Sequence, residues 1–260
     1  MRYGLISDIH ANLPALEAAL KVLERVDVDE YLCAGDLVGY GPMPNECVAR
    51  IAELQATCVA GNHDLIALGL PPDDGVSNLA RESLRWTQAE LSEESKRYLE
   101  ALPAVVTTGS GVVIAHGSLD DPGEYVRDEV QRCEQLRLLE ADHPDARFLV
   151  LGHTHRSAIQ GAERGTVPLR WKRSVNLTPR ERYLFNPGSV GQSRQRTARS
   201  RFMVLDLARG RATFYAVRYD VGACRRALRE RGLPSWSFHT RPVRWRRWAG
   251  VLRRSLQSSR

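Results

Sequence analysis

The run Gly61-Asn62-His63-Asp64 sets an amide oxygen, an imidazole and a carboxylate side by side, after the β-prone stretch Ala56-Thr57-Cys58-Val59-Ala60. An amide oxygen is a modest ligand for a hard or borderline cation. An imidazole left unligated moves protons near neutral pH, and a neighbouring carboxylate can hold its tautomer. Four other apolar stretches end in the same kinds of residue: Asp8-Ile9-His10, Gly35-Asp36, His116-Gly117-Ser118 and Gly152-His153-Thr154-His155. Together they supply two carboxylates (Asp8, Asp36), one amide (Asn62) and four imidazoles (His10, His116, His153, His155), with the pair His63 and Asp64 to spare. That is too many nitrogen and oxygen donors for one zinc ion, which takes about four ligands. It suits two ions about 3.5–4 Å apart, bridged by one carboxylate and a water. No donor is a cysteine, so a thiolate site is disfavoured, while Mn, Fe, Co, Ni and Zn all stay compatible. Any one of these stretches alone is also an ordinary polar turn; their weight comes from recurring at successive strand ends.

The elements that must position them follow from periodicity. Tyr3 to Ser7, Tyr31 to Ala34, the stretch before Gly61, Val112 to Ala115 and Phe148 to Leu151 read as short buried strands. After the first comes a helix with Leu13, Leu16, Leu20 and Leu23 at helical spacing, Asn12 as its cap and Pro14 in its first turn. After the second comes a helix with Val48, Ile51 and Leu54 on one side. Leu65 to Gly75 reads as a loop, and helices are expected over Leu79 to Ala89 and, capped by Ser92, over Glu93 to Leu102. Another is expected on the stripe Val126, Val130, Cys133 and Leu136. Arg182 to Phe185, Phe202 to Leu207 and Thr213 to Tyr219 read as strands. Alternating strands and helices followed by a strand-rich part predict an α/β protein with antiparallel strands added late. In such sheets ligands sit beyond the carboxyl ends of the strands, where the chemistry-bearing residues fall here.

Composition narrows the setting. The 260 residues suffice for one large α/β domain or two small ones. Met1 to Asp8 meets an acid too early for a secretory signal, and no apolar run is long enough to span a membrane. The five cysteines show no paired spacing and mostly fall in apolar runs, which suits a reducing cytoplasm. The net charge of +6 is uneven: residues 223–260 hold eleven arginines against the single acid Glu230, leaving the rest of the chain at −4.

Asp8-x-His10, Gly35-Asp36, Gly61-Asn62-His63-Asp64, His116 and Gly152-His153-x-His155 resemble the complete signature of the calcineurin-like metallophosphoesterases. Asp36-Leu37-Val38-Gly39-Tyr40-Gly41-Pro42, His116-Gly117-Ser118 and Asn186-Pro187-Gly188-Ser189-Val190-Gly191 resemble the small bacterial branch related to diadenosine tetraphosphatases and serine/threonine phosphatases. The resemblance covers residues 1–220 and implies a four-layer α/β/β/α sandwich of two mixed sheets. Residues 221–260 are then expected to be a basic, Trp-containing helical tail. The resemblance further implies two divalent ions, manganese or Fe, Zn, Co or Ni. Asp8, His10 and His155 would hold one ion, Asn62, His116 and His153 the other, and Asp36 would bridge. His63 would remain unligated with Asp64 behind it.

Two such cations lower the pKa of a water between them and neutralise charge in an in-line displacement at phosphorus. His63, if protonated, would stabilise that charge or protonate the leaving oxygen. The expected activity is hydrolysis of phosphodiester or phosphoanhydride bonds of a small-molecule phosphoester, foremost a nucleotide such as a dinucleoside polyphosphate. Phosphoprotein phosphatase, nuclease and non-catalytic scaffold are the alternatives. Asn12, Tyr40 and Arg194 are candidate substrate contacts. The turn Gly188 to Gly191 ahead of Arg194 and Arg196 would offer free backbone N–H groups to a polyphosphate. A basic insertion over residues 161–182 (Arg164, Arg170, Lys172, Arg173, Arg180, Arg182) would rim the site. In the tail, Trp245, Trp248, Ala249, Leu252 and Leu256 fall on one helical stripe among arginines. Such a stripe docks on the body or on a second subunit of a homo-oligomer, or meets an anionic membrane or nucleic acid.

Overall fold

The computed structural model describes residues 1–70, 76–169 and 174–240. The first half of the chain runs β1 (Arg2–Ile6), α1 (Leu13–Arg25), β2 (Glu30–Cys33), α2 (Pro44–Glu53), β3 (Thr57–Cys58), α3 (Asn62–Ala67), α4 (Asn78–Glu90) and α5 (Glu93–Glu100). There follow β4 (Val106–Thr107), β5 (Val112–Ile114), α6 (Glu129–Asp142), β6 (Phe148–Val150), β7 (Ala158–Gly161) and β8 (Gly165–Thr166). The chain continues with β9 (Ser174–Asn176), β10 (Tyr183–Asn186), β11 (Ser200–Asp206), β12 (Arg211–Val217) and α7 (Val221–Glu230). Two six-stranded sheets result, in the orders β3-β2-β1-β11-β12-β9 and β4-β5-β6-β10-β7-β8. Both are mixed: β1 and β2 pair parallel while β1 and β11 pair antiparallel, and β10 pairs parallel with β6 and antiparallel with β7.

The alternation along each strand shows how the layers stack. Tyr3, Leu5, Met203 and Leu205 from the first sheet share one core with Ile114, Phe148, Val150 and Phe185 from the second. The opposite faces of the same strands, Ile6, Cys33, Phe202 and Val204, pack under Leu16, Leu20 and Leu23 of α1 and Val48 and Ile51 of α2. Val113, Leu149 and Leu184 of the second sheet pack under Leu136 and Leu139 of α6. Three apolar seams separate four layers, the α/β/β/α sandwich expected.

Local signals explain the elements that match. Asn12 caps α1 by accepting from the Ala15 N–H at 3.3 Å, and Ser92 caps α5 by accepting from Ser95 at 3.1 Å. Three expectations are corrected. Leu65 to Gly75 is not loop from its start, because α3 begins at Asn62, anchored by the Asp64 carboxylate reaching back to the Gly61 N–H. Helix α6 starts only at Glu129, where Asp128 and Gln131 form a capping box. Its buried face is Gln135, Leu136 and Leu139, which leaves Val130 79% exposed. In the basic insertion, expected to rim the site, Arg164 instead pairs with Glu181 and Arg182 with Glu140, and the segment supplies β8 and β9. Arg170, Lys172 and Arg173, like the Trp-containing stripe after Thr240, lie outside the described residues. The five cysteines are free. Among the described residues no helix is long and apolar enough to cross a membrane.

Candidate metal centre

Five strands deliver one cluster. Asp8 and His10 follow β1, Asp36 follows β2, Asn62 follows β3, His116 follows β5 and His153 and His155 follow β6. The first three strands belong to one sheet and the last two to the other, so the cluster lies where the carboxyl edges of both sheets meet. Backbone hydrogen bonds lace these ends together: Asp8 N–H to Gly35 O, His10 N–H to Asp36 O, and Gly152 N–H to His116 O. The carboxylates are tied to the backbone as well, since His153 N–H donates to Asp8 Oδ1 and His63 N–H to Asp36 Oδ1. Asp8, His10, Asp36, His153 and His155 all hold positive φ, between 49° and 60°. That region costs a non-glycine residue about 1–3 kcal/mol and persists where the surroundings dictate it. All five turn back toward one point.

Two groups of donor atoms form, each with its atoms within 4.8 Å of one another: Asp8, His10, Asp36 and His155, and Asp36, His116 and His153. Asp36 belongs to both. Its Oδ2 lies 3.5 Å from His10 Nε2 and 3.2 Å from His116 Nε2, and Asp8 Oδ1 lies 3.1 Å from His155 Nε2. The far side of each ring sets its tautomer. His10, His116 and His155 direct Nδ1 at the carbonyls of Val38, Ala34 and Gln192, which places the Nε2 atoms inward. The Nε2 atoms of His10 and His155 then face each other at 3.1 Å, lone pair to lone pair, which a cation between them relieves. Among the described residues Asp36 Oδ2, Asn62 Oδ1, His116 Nε2 and His153 Nε2 find no hydrogen-bond partner, although all four are buried. Buried polar atoms without partners are rare, and four in one place fit divalent cations.

Charge and burial agree with that fit. Burial holds His10 well below the usual imidazole range against the pull of Asp36, and drops His153 to about 3. Both are neutral and ready to ligate. Burial also opposes charge on His116, but Asp36 beside it prevails and lifts it to about 10. Asp36 itself is held well below the carboxylate range: burial works against its charge, and His116 and His63 outweigh it.

The family model described as the calcineurin-like phosphoesterase superfamily domain matches residues 1–210. The chain belongs to that superfamily. A curated relative, an uncharacterised protein of Methanocaldococcus jannaschii, is 30% identical over 241 residues, covering 90% of this chain and 94% of its own. The crystal structure of a metallophosphoesterase from Sphaerobacter thermophilus is 32% identical with a TM-score of 0.75, over 90% of this chain and 95% of that one. A hypothetical protein from Pyrococcus horikoshii shares the fold at 20% identity, with a TM-score of 0.73 over 90% of this chain and 94% of its own. The protein is therefore a metal-dependent phosphoesterase, and its buried Asp/His cluster is where divalent metal fits.

Around the phosphoesterase centre the structure sorts the other candidates. His63 stands 4.8 Å from the His10 ring and 4.7 Å from the Tyr40 ring, and burial lowers it to about 4. Asp64 does not stand behind it. Its carboxylate accepts from the backbone N–H groups of Asp36, Leu37, Val38 and Gly61, while His63 Nδ1 has no partner. Asp64 thus holds the Asp36 loop rather than a tautomer of His63. Asn12 is no substrate contact either: it is 1% exposed, caps α1 and donates to Gly191 O. In the turn after Asn186, Gly188, Val190, Gly191 and Gln192 direct their N–H groups at Asn186, Ser7, Asp8 and Ser189, so these four are not free donors. Tyr40 and Arg194 do reach the site, lining a cavity of about 520 Å³ with Asn62, His63, His153 and Tyr125. Tyr125 is the residue that sequence reasoning passes over. Its ring centroid lies 3.8 Å from that of His153 and its hydroxyl accepts from Arg194 at 3.2 Å. It stands in a loop without periodicity or motif, so nothing in its spacing marks it.

Proposed function

We propose that the chain binds two divalent ions and hydrolyses a phosphodiester or phosphoanhydride bond of a nucleotide, such as a dinucleoside polyphosphate. The observation that carries this is Asp36, whose one carboxylate belongs to both donor groups. Asp8, His10 and His155 would hold one ion and Asn62, His116 and His153 the other, with Asp36 shared between them. Bound ions of this kind supply an acidified water and neutralise charge on a phosphoryl group. The protein's own groups do the rest. Arg194, fixed by Tyr125, offers a planar pair of donors to the non-bridging phosphate oxygens. His63, neutral through burial, lines the cavity, and in this reading its ring N–H hydrogen-bonds the leaving oxygen. Tyr40, Tyr125 and the apolar wall of Leu65, Ile66 and Leu79 accommodate a planar, half-apolar leaving group, as a nucleoside is.

Manganese is the ion to test first, although the donor set also suits Fe, Zn, Co and Ni. The test is turnover with Mn²⁺ on diadenosine tetraphosphate, bis-p-nitrophenyl phosphate, p-nitrophenyl phosphate, a phosphopeptide and single-stranded DNA. The expected result is a kcat/KM for the dinucleotide above the others by about tenfold or more. Preference for the phosphopeptide or the DNA would replace the nucleotide assignment. Two bound ions with no turnover of any would replace catalysis by a scaffold role. His63→Ala is expected to keep the metals and to lose about 10²-fold or more in kcat on alkyl leaving groups, with a smaller loss on p-nitrophenolate. Equal losses on both would remove the leaving-group role.

A further inference from the structure

A second cavity, about 610 Å³, lies against the metal centre, and Tyr125 and Arg194 line both. Among the described residues four arginines line it, Arg127, Arg132, Arg156 and Arg194, and no acidic side chain does. Among the described residues none of the four forms an ion pair with a carboxylate. Four like charges around one cavity repel one another, and an anion relieves that repulsion.

The arrangement is built. Arg132 donates from Nη1 to Arg127 O at 2.9 Å, which fixes its guanidinium, yet its buried Nε has no partner among the described residues. Such a donor calls for an acceptor. The Arg127 guanidinium lies 3.8 Å from the Tyr125 ring centroid, and Tyr125 in turn lies 3.8 Å from the metal-centre ring of His153. Tyr125 is therefore the partition between the two cavities, with Arg127 and Arg194 against it. The floor is apolar, from Leu151, Ile159 and Leu184, so the arginines are the groups that confer selectivity. Guanidinium forks match phosphate oxygens two by two.

We infer that the arginine-lined cavity is a phosphate subsite. It takes a further phosphate group of the molecule whose scissile phosphate sits at the metal centre, so the preferred substrate carries at least two phosphate groups in one chain. This rests on the phosphoesterase assignment and narrows its substrate class. A mononucleotide diester leaves the subsite empty; a dinucleoside polyphosphate fills it.

The test separates the two claims. Tripolyphosphate binding to the metal-free protein in EDTA is measured by calorimetry. The wild type is expected to bind one per chain, and Arg132→Ala/Arg156→Ala to bind about tenfold more weakly. Arg156→Glu, at an exposed position, is expected to weaken binding in the same direction. With Mn²⁺, the double variant is expected to raise KM for diadenosine tetraphosphate about tenfold more than KM for bis-p-nitrophenyl phosphate. Tripolyphosphate bound as tightly by the variants as by the wild type overturns the inference. So does an equal loss on both substrates. Inorganic phosphate that changes kcat for bis-p-nitrophenyl phosphate through these arginines, without competing with the dinucleotide, would make the cavity an effector site and also overturns it. Wild-type protein that binds tripolyphosphate through these arginines but hydrolyses neither ester with metal bound removes the phosphoesterase assignment and the substrate role together.

Discussion

Asp36 does three things with one carboxylate. Oδ2 faces His10 and His116 from both donor groups, Oδ1 accepts from the His63 N–H at 2.8 Å, and the negative charge offsets the buried imidazoles around it. Asp36→Asn keeps the shape and removes the charge. Its expected effect is a fall from two bound ions to one or none, read by elemental analysis of the purified protein, with kcat reduced by about 10³-fold or more. Two ions retained in that variant would contradict the bridging role. At this scale the sequence is informative about ligands and silent about their supports. Asp8, His10, Asp36, Asn62, His116, His153 and His155 each stand at or just beyond the end of a mainly apolar stretch, so they are readable as a set. What turns the rings is main-chain carbonyl, from Val38, Ala34 and Gln192, and carbonyls leave no trace in side-chain spacing. Asp64 misleads for the same reason: adjacency to His63 suggests a pair, whereas its partners are four backbone N–H groups.

The strand ends work as a unit because the loops leaving them touch without side chains between. Gly191, after β10, shows how close this approach is: a Cβ there would stand 1.8 Å from Ile9 O and 2.8 Å from Asn12 Cβ. Gly191→Ala must push the loop off the Asp8–His10 turn. The expected cost is about 2–3 kcal/mol of stability, with loss of metal affinity, read by urea denaturation and metal titration. Gly109→Ala, where nothing lies within 4 Å, is the control and is expected to keep its metal affinity. The long and alternating elements are legible in the sequence. Each of β1, β2, β5 and β6 ends within a residue or two of its expected place, since their carboxyl-terminal residues are buried and apolar. Short edge strands such as β8 and β9 carry two or three residues and no pattern. Helix α3 hides because its first turn is made of the site's own polar residues.

At the scale of the whole molecule, residues 221–240 extend the body. Cys224 and Leu228 of α7 pack with Leu233 and Phe238 against Trp86, and Ser237 Oγ donates to the carbonyl of Tyr40, a residue of the cleft. Leu228→Ala is expected to cost about 2–5 kcal/mol in a denaturant titration while leaving metal content intact. The site itself joins the two sheets, because Asp8, Asp36 and Asn62 come from one and His116 and His153 from the other. Ions bound there bind only the sheet pair in register, so metal contributes to folding as any native-state ligand does. Free metal at a hundredfold its dissociation constant adds about 2.7 kcal/mol per site. The melting temperature is therefore expected to rise with Mn²⁺ and fall in EDTA, and Asp36→Asn is expected to lose most of the difference. The sign with pH follows from His116. Burial disfavours its charge, yet Asp36 lifts it to about 10 in the metal-free protein, so ligation must expel that proton. Proton release on binding makes metal bind more tightly as pH rises. The Mn²⁺-dependent increment in melting temperature is expected to grow between about pH 6 and pH 8. An increment that shrinks over this range would mean that His116 does not surrender a proton to metal.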